Sequence, residues 1–373
     1  MRIGRILVIS TLAALCSCGG GSGNSVTSQA VPTVNQYNGT ASVGDFLTIG
    51  VNASTHTITY SNMTNGEQGT ASYTVNANGS YQISDPSGNL ISAYEIPGYA
   101  MVIQAANAGP NRDASALITA VDAGQITLGT FEGQSYNYMQ FRTAAGGLEI
   151  GTIAIDQAGE LSSSGYNPWM ATNNGGQSPI SGSQFSLAAA TLDSSGTYLT
   201  LADQASSDYI FGTSNGRFLV DTPNGAIFGL AKAAAKDFDP SVAGSYQAIY
   251  YAKNGASTGA GNIESGTPTL GSATVAVSSG GDVTITDANG STLASGTLTA
   301  VADTSYLYGT AGELADPCYG LFTFRSNSGG VQQDVFVTFL GKSAVFSSFS
   351  AAQPSVAGET YDYFYGVGLA QAP

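Results

Sequence analysis

The stretch Tyr73-Thr74-Val75-Asn76-Ala77-Asn78-Gly79-Ser80-Tyr81-Gln82-Ile83 decides the fold class. At its centre a residue with a small oxygen-bearing side chain, two connectors and a glycine make a four-residue turn. Asn76 is able to hydrogen-bond the backbone two residues on, and Gly79 accepts the left-handed conformation that lets two twisted strands meet. On either side, Tyr73/Val75 and Tyr81/Ile83 alternate with polar residues, which is the period of a half-buried strand. The same pattern recurs as Asp85–Gly88, Thr143–Gly146, Asp156–Gly159, Asp193–Gly196, Thr213–Gly216, Thr222–Gly225, Ser278–Gly281, Asp287–Gly290 and Ser326–Gly329. Type I hairpin turns closed by a glycine bulge follow this recipe, so the chain reads as all-β.

Consecutive hairpins imply antiparallel meanders, which hide their edges by closing into barrels or stacking as sandwiches. The expectation is two or three lipocalin-like barrels or sandwiches. A β-propeller is the competing architecture, disfavoured because the turns do not recur at a fixed blade-length spacing. At 373 residues the chain outgrows a single core. Its 49 glycines, 20 tyrosines and 15 phenylalanines suit many short strands joined by tight turns.

In chain order, residues 1–17 read as an export signal, 18–36 as a linker, 37–236 as an N-terminal β domain with a subdivision near Gly133 as an option, and 240–373 as a C-terminal β domain. Strand signals include Ile126 to Phe131, Tyr136 to Arg142, Glu149 to Ile155 and a last strand with Tyr361, Tyr363, Tyr365, Val367 and Leu369 on one face. A long loop spans Ser164 to Ser183, a Gly/Ser/Thr-rich excursion runs from Asn254 to Gly271, and Ala231 to Lys236 is predicted to make one helical turn. Gly151–Asp156 and Gly271–Val277 echo one another, each after an aromatic strand and a glycine-rich connection, which points to related meanders.

The first eighteen residues set the compartment. Arg2 and Arg5 precede a short apolar run, Ile6 to Ala14, too brief to span a membrane as a helix. The segment Leu15-Cys16-Ser17-Cys18 resembles the lipobox of bacterial lipoproteins: an apolar residue, a variable one, a small one, then cysteine. That resemblance covers the signal segment only. It implies cleavage before Cys18, acylation of Cys18 and anchoring to the cell envelope. With Gly19 after the cysteine, it also implies sorting to the outer membrane of a Gram-negative cell. More than one acyl chain makes such an anchor stable, and Gly19 to Gly23 would serve as a flexible tether.

Removal of the signal leaves eight basic against 25 acidic side chains, a formal balance of −17. Such a surface repels phosphate backbones, so nucleic acid is not an expected partner. Charged residues make up only 9 %, so the surface is built from hydroxyls, amides and glycine. Cys318, the one further cysteine after Cys18, reads as a small buried residue.

No cofactor or metal motif is read from the chain, and no catalytic residue is assigned. The single histidine, His56, stands in phase with Ile58 and Tyr60 and reads as an ordinary sheet residue. Asp156 and Asp287 start turns that lack the alternate oxygen ligands of a calcium loop, so both read as turn caps. Asp237/Asp239 and Asp203/Asp208 are the carboxylate pairs on which a glycoside hydrolase would have to rest. Two features suit ligand binding. Tyr136, Tyr138, Gln140 and Arg142 share one strand face, and Tyr166 and Trp169 lie on the long loop, where rings stack against sugars. The expected function is a non-enzymatic binding or adhesion module for a glycan or small ligand, held to the membrane through lipid. The alternative is a structural envelope component, motivated by the tyrosine-rich last strand, and a carboxylate-based hydrolase ranks third.

Overall fold

In the computed structural model, the structure describes residues 34–109, 111–112, 114–141, 149–166, 182–202, 207–256, 268–301, 318–328, 331–350 and 360–371. The first eight strands are β1 (Val34–Ala41), β2 (Phe46–Asn52), β3 (Thr57–Asn62), β4 (Gln68–Val75), β5 (Tyr81–Ser84), β6 (Leu90–Ile96), β7 (Ala100–Ala108) and β8 (Ala114–Asp122). Each pairs antiparallel with the next. β1 then pairs with β8 from Tyr37↔Asp122 to Ala41↔Ile118, closing an up-and-down barrel. Closure removes every free edge, the main liability of a meander. Leu47, Ile49, Val51, Ile58, Met101, Ile103 and Ile118 fill its interior.

A second body contains β9 (Ser135–Phe141), β10 (Glu149–Ile155), β11 (Glu160–Tyr166), β12 (Gly182–Ser186), β13 (Thr191–Leu192), β14 (Leu199–Ala202), β15 (Ser207–Thr213), β16 (Arg217–Thr222) and β17 (Gly225–Ala231). A third contains β18 (Gly244–Ala256), β19 (Pro268–Val277), β20 (Asp282–Asp287), β21 (Thr292–Thr297), β22 (Thr299–Ala300), β23 (Leu321–Ser328), β24 (Val331–Leu340), β25 (Ser343–Ser350) and β26 (Thr360–Ala370). Both nine-stranded sheets have one topology: the first strand pairs with the last at the centre, and the fourth and fifth form the edges. The echoed segments Gly151–Asp156 and Gly271–Val277 fall on β10 and β19, the second strand of each sheet.

The three bodies share a core. Phe46, Val102, Leu117 and Val121 on the outside of the barrel meet Met139, Phe141, Phe211 and Phe228 of the second sheet and Ile249, Tyr251, Tyr365 and Val367 of the third. The opposite faces of the two sheets carry their own clusters, around Phe131, Tyr136 and Phe218 in one and Val275, Val337 and Phe346 in the other. Burial on both faces explains why β9 carries large apolar side chains on either side, Tyr136 and Tyr138 on one and Met139 and Phe141 on the other.

At seven of the turns, from Asn76–Gly79 to Asp287–Gly290, the glycine is left-handed and its N–H donates to the carbonyl three residues back. Asp85, Asp156, Asp193 and Asp287 each accept the amide two residues on, as turn caps should. The turns at Thr143–Gly146 and Ser326–Gly329 extend outside the described residues. Thr222–Gly225 departs from the recipe: Thr222 pairs directly with Gly225 across a two-residue loop.

Five local expectations are corrected. Ile126 to Phe131 is not a strand, because Thr127 and Thr130 exchange hydrogen bonds that wind Leu128–Thr130 into a 3-10 turn. Ala231 to Lys236 is not helical: the Lys232 and Ala233 amides donate to Ser135 and Tyr319 rather than back along their own segment. His56 is not in phase with β3. The Asn52 side chain accepts the Ser54 and Thr55 amides and prolongs the turn, leaving His56 exposed at φ +51. Finally, strands β18 and β19 extend to Ala256 and from Pro268, into both ends of the expected excursion, while β1 begins at Val34, inside the expected linker.

Candidate functional site

A cleft of about 600 Å3 opens where the barrel meets the third sheet. Ala77, Asn78 and Gly79 of the β4–β5 turn and Tyr94 to Pro97 form one wall; Gln247 of β18, Lys342 of the β24–β25 turn, and Leu369 to Gln371 form the other. That size and mixture of apolar wall with a few polar groups is what small-ligand sites present.

A bulge decides the barrel wall. The register of β6 shifts between Leu90 and Ser92, so Leu90 and Ala93, three residues apart, both face the barrel interior. Past the shift the alternation places Glu95 inward and Tyr94 and Ile96 outward against the shared core. Without the extra residue, the carboxylate would point to the other face.

Inside the barrel end, the Glu95 carboxylate accepts hydrogen bonds from the Tyr37 and Tyr81 hydroxyls, both at 2.5 Å, and from the Asn35 amide at 3.0 Å. Tyr37 in turn accepts the Gly98 N–H at 3.0 Å, and Tyr81 stacks on Tyr73 with centroids 4.2 Å apart. Burial pushes the Tyr37 and Tyr81 hydroxyls far above their ordinary range, and the hydrogen bond to Glu95 pushes the same way. Both therefore remain donors, and Glu95 serves as a strut with its oxygens occupied by its own chain.

The two walls are tied together at Tyr99, in the turn between β6 and β7. Its hydroxyl donates to the Leu340 carbonyl at 3.0 Å and accepts from the Lys342 amide at 3.1 Å and the Ser343 hydroxyl at 3.3 Å. The Ala370 N–H donates to Lys342 O, and the Gln371 N–H to Ser245 O, both at 2.8 Å. These bonds place the Lys342 stem, the end of β26 and the Gln247 side of β18 opposite Tyr94.

The residues predicted from sequence lie elsewhere. Tyr136 is 1 % exposed and stacks on Phe218 at 5.0 Å, and Tyr138 is buried with its hydroxyl donating to Glu149. Burial, then the charge on Glu149, raises the Tyr138 hydroxyl well above its ordinary range. Tyr166 is not on the expected loop: pairing with β10 continues past Ser164, so Tyr166 ends β11 opposite Ile150, two strands from β9, and β12 already begins at Gly182. Arg142, Trp169 and Cys18 lie outside the described residues, as does Asp203. Asp237 and Asp239 are exposed, with Asp239 capping Ser241 through its amide and hydroxyl. Cys318 is fully buried, as read from sequence. The Tyr361 to Leu369 strand is central rather than an edge: β26 lies between β18 and β25, with Tyr363, Tyr365, Val367 and Leu369 in the shared core. That removes the motive for a self-assembling edge.

Sequence reading missed Tyr94, Glu95, Asn78, Gln247 and Lys342. The one available signal was Glu95, a charge inside a strand pattern in a chain where charges are scarce.

No family model matches the chain, and no curated protein does. Among solved structures, transferrin binding protein B (TbpB) from Haemophilus parasuis Hp5, in a single-mutant form, is similar at 9 % identity over 91 % of this chain and 77 % of that one, with a TM-score of 0.29. A double mutant of that protein gives 9 % identity over 89 % and 67 %, with a TM-score of 0.24. Intact Ap-TbpB, with its N and C lobes, gives 8 % over 92 % and 78 %, with a TM-score of 0.25. At such TM-scores the likeness carries no argument about ligand or partner.

Proposed function

We propose that the chain is an envelope lipoprotein whose β body binds a small organic ligand, without chemistry, in the cleft between the barrel and the third sheet. Acylation at Cys18 would fix it to the outer membrane, and Gly19 to Gly23 would let the body stand off the lipid. The observation that carries the binding reading is the cleft itself: about 600 Å3, walled by Tyr94, Ile96 and Leu369 and edged by the amides of Asn78, Gln247 and Gln371. Such a site favours a ligand with one apolar face and hydroxyl or carbonyl edges. Glu95, which lines the cleft from β6 but turns its carboxylate into the barrel, already accepts three hydrogen bonds there, which leaves it poorly placed as a general base.

A thermal-shift screen of the full chain against small sugars, nucleosides and amino acids tests the reading. A ligand at 100 times its Kd stabilises by about 2.7 kcal/mol, a shift that Ala77→Trp, which fills the cleft from an exposed turn, should abolish. A Trp169→Ala variant in the same screen asks whether the loop read from sequence contributes. Radiolabelled palmitate incorporated by the full chain and lost in Cys18→Ser tests the anchor. An unlabelled full chain would refute that part alone.

A further inference from the structure

The outer wall of the barrel over β2, β3 and β4 is built from one kind of side chain. Leu47, Ile49, Val51, Ile58, Tyr60, Ala71 and Tyr73 face inward. Phe46, the first outward position of β2, is buried in the shared core; past it, alternation makes the outward positions Thr48, Gly50 and Asn52 on β2, Thr57, Thr59 and Ser61 on β3, and Gln68, Thr70, Ser72 and Thr74 on β4. None of the ten is charged, and none is apolar apart from the glycine.

Strand register sets them in rows. Gln36, Gly50, Thr59 and Thr70 are neighbours across four strands, and Thr48, Ser61 and Gln68 form the adjacent row. Between the rows lies a groove of about 460 Å3. Gly50 makes its floor. Its φ is not left-handed, so the backbone does not require glycine there. A Cβ there would crowd its neighbours' side chains, standing 2.8 Å from Thr59 Oγ1, 3.2 Å from Gln36 Nε2 and 3.3 Å from Val34 Cγ1.

The lining selects by elimination. An anion would find no cation in the groove and would approach a chain of formal net charge −15. A cation would find no carboxylate there. An apolar partner would cover hydroxyls and amides without returning their hydrogen bonds, which is costly. Hydroxyls repeated about every 4.8 Å across the strands, each both donor and acceptor, match a chain that repeats hydroxyls of its own. We infer that this groove is a second, separate binding site for a neutral oligosaccharide, one without uronic acid or sulfate. It shares no lining residue with the cleft at Tyr94 and Lys342, so it stands or falls independently of that reading.

Calorimetric titration of the full chain with cellohexaose, maltohexaose, mannohexaose and chitohexaose tests the inference, with a heparin-derived hexasaccharide as the charged control. At least one neutral probe should bind. Thr59→Val with Thr70→Val, which keeps shape and strand propensity while removing two hydroxyls, should weaken it at least tenfold. Ala77→Trp should leave the affinity unchanged, which separates this groove from the cleft. Gly50→Ser, which narrows the floor, should also weaken binding. Absence of binding by all four neutral probes, equal binding of the heparin-derived probe, or affinity indifferent to the double valine variant would overturn it.

Discussion

Arg217 of the second sheet lies with its guanidinium carbon 3.8 Å above the ring of Tyr99, a residue of the barrel. Its Nη1 also donates to the Tyr99 carbonyl, and its Nε and Nη2 reach Asn215. The Tyr99 hydroxyl, at the far end of the same ring, holds the β24–β25 turn of the third sheet. One side chain thus joins all three β bodies, and it borders the cleft through Lys342. Tyr99→Phe keeps the ring beneath Arg217 and loses the bonds to the turn, at a cost of about 1–3 kcal/mol. Tyr99→Ala also removes the cation–π contact and leaves a cavity beneath Arg217, whose bonds to the backbone carbonyl and Asn215 remain, for about 3–5 kcal/mol. Denaturant melts of the two variants, with a double-mutant cycle against Arg217→Met, measure the difference.

Thr40 of the barrel donates to Asp221 of β16 at 2.5 Å, and Asp221 is 1 % exposed. Burial raises its carboxyl well above the ordinary range; Thr40 opposes that, and the charges of Asp45 and Asp208 add to it. The native state therefore keeps a proton that the unfolded chain releases near pH 3.9. The group's contribution is full at low pH and is lost as pH rises through its native pKa. Asp221→Asn keeps an acceptor for Thr40 and removes the titration. Its melting temperature should exceed that of the parent at pH 7, and the two should converge toward pH 4. An unchanged difference across that range would exclude Asp221 as the titrating group.

Tyr37 and Tyr81 predict the alkaline limb. Both hydroxyls are raised by burial first and by Glu95 second, so the native state retains protons that the unfolded chain gives up near pH 10. Stability should fall as pH rises above that point. Combining Tyr37→Phe with Tyr81→Phe should flatten the fall between pH 9.5 and 11 in thermal melts, while lowering stability at pH 7 because Glu95 loses two donors.

The turn glycines separate conformation from crowding. Gly79 has φ +80 and nothing within 4 Å of where a Cβ would sit, so Gly79→Ala should cost about 1–2 kcal/mol, from backbone alone. Gly69 has no such φ, but its Cβ would strike the Tyr60 ring. That ring is 6 % exposed and tied to Asp85 and Asn89. Gly69→Ala should cost about as much or more, through overpacking, with the loss partly recovered in a Tyr60→Leu background. Gly79→Ala should gain nothing from that background.

Much of the fold is legible because hairpin chemistry is local. Asn76–Gly79, Asp156–Gly159 and Asp287–Gly290 each fix their reversal within four residues, and alternation at Leu47, Ile49 and Val51 names an inward face. The segments that misread are those governed by distant partners: Ser135 and Tyr319 accept the amides that would have wound Ala231 to Lys236. The cleft was illegible for the same reason. It joins residues from Ala77 to Gln371, and Glu95 faces inward only because of a bulge at Leu90 to Ser92 that no residue type announces. Tyr136 and Tyr138 do share one face of β9, but alternation within that strand carries no sign that Phe131, Leu187 and Phe218, from other parts of the same body, bury that face.

Saturation-transfer NMR on the full chain tests the binding reading most directly, using a library of uncharged small molecules with one apolar face. At least one compound should show transfer to its apolar protons in the parent chain and none in Ala77→Trp, while Thr59→Val with Thr70→Val leaves the signal intact. A library without any bound compound, or one whose signals survive Ala77→Trp undiminished, would contradict the assignment of the cleft.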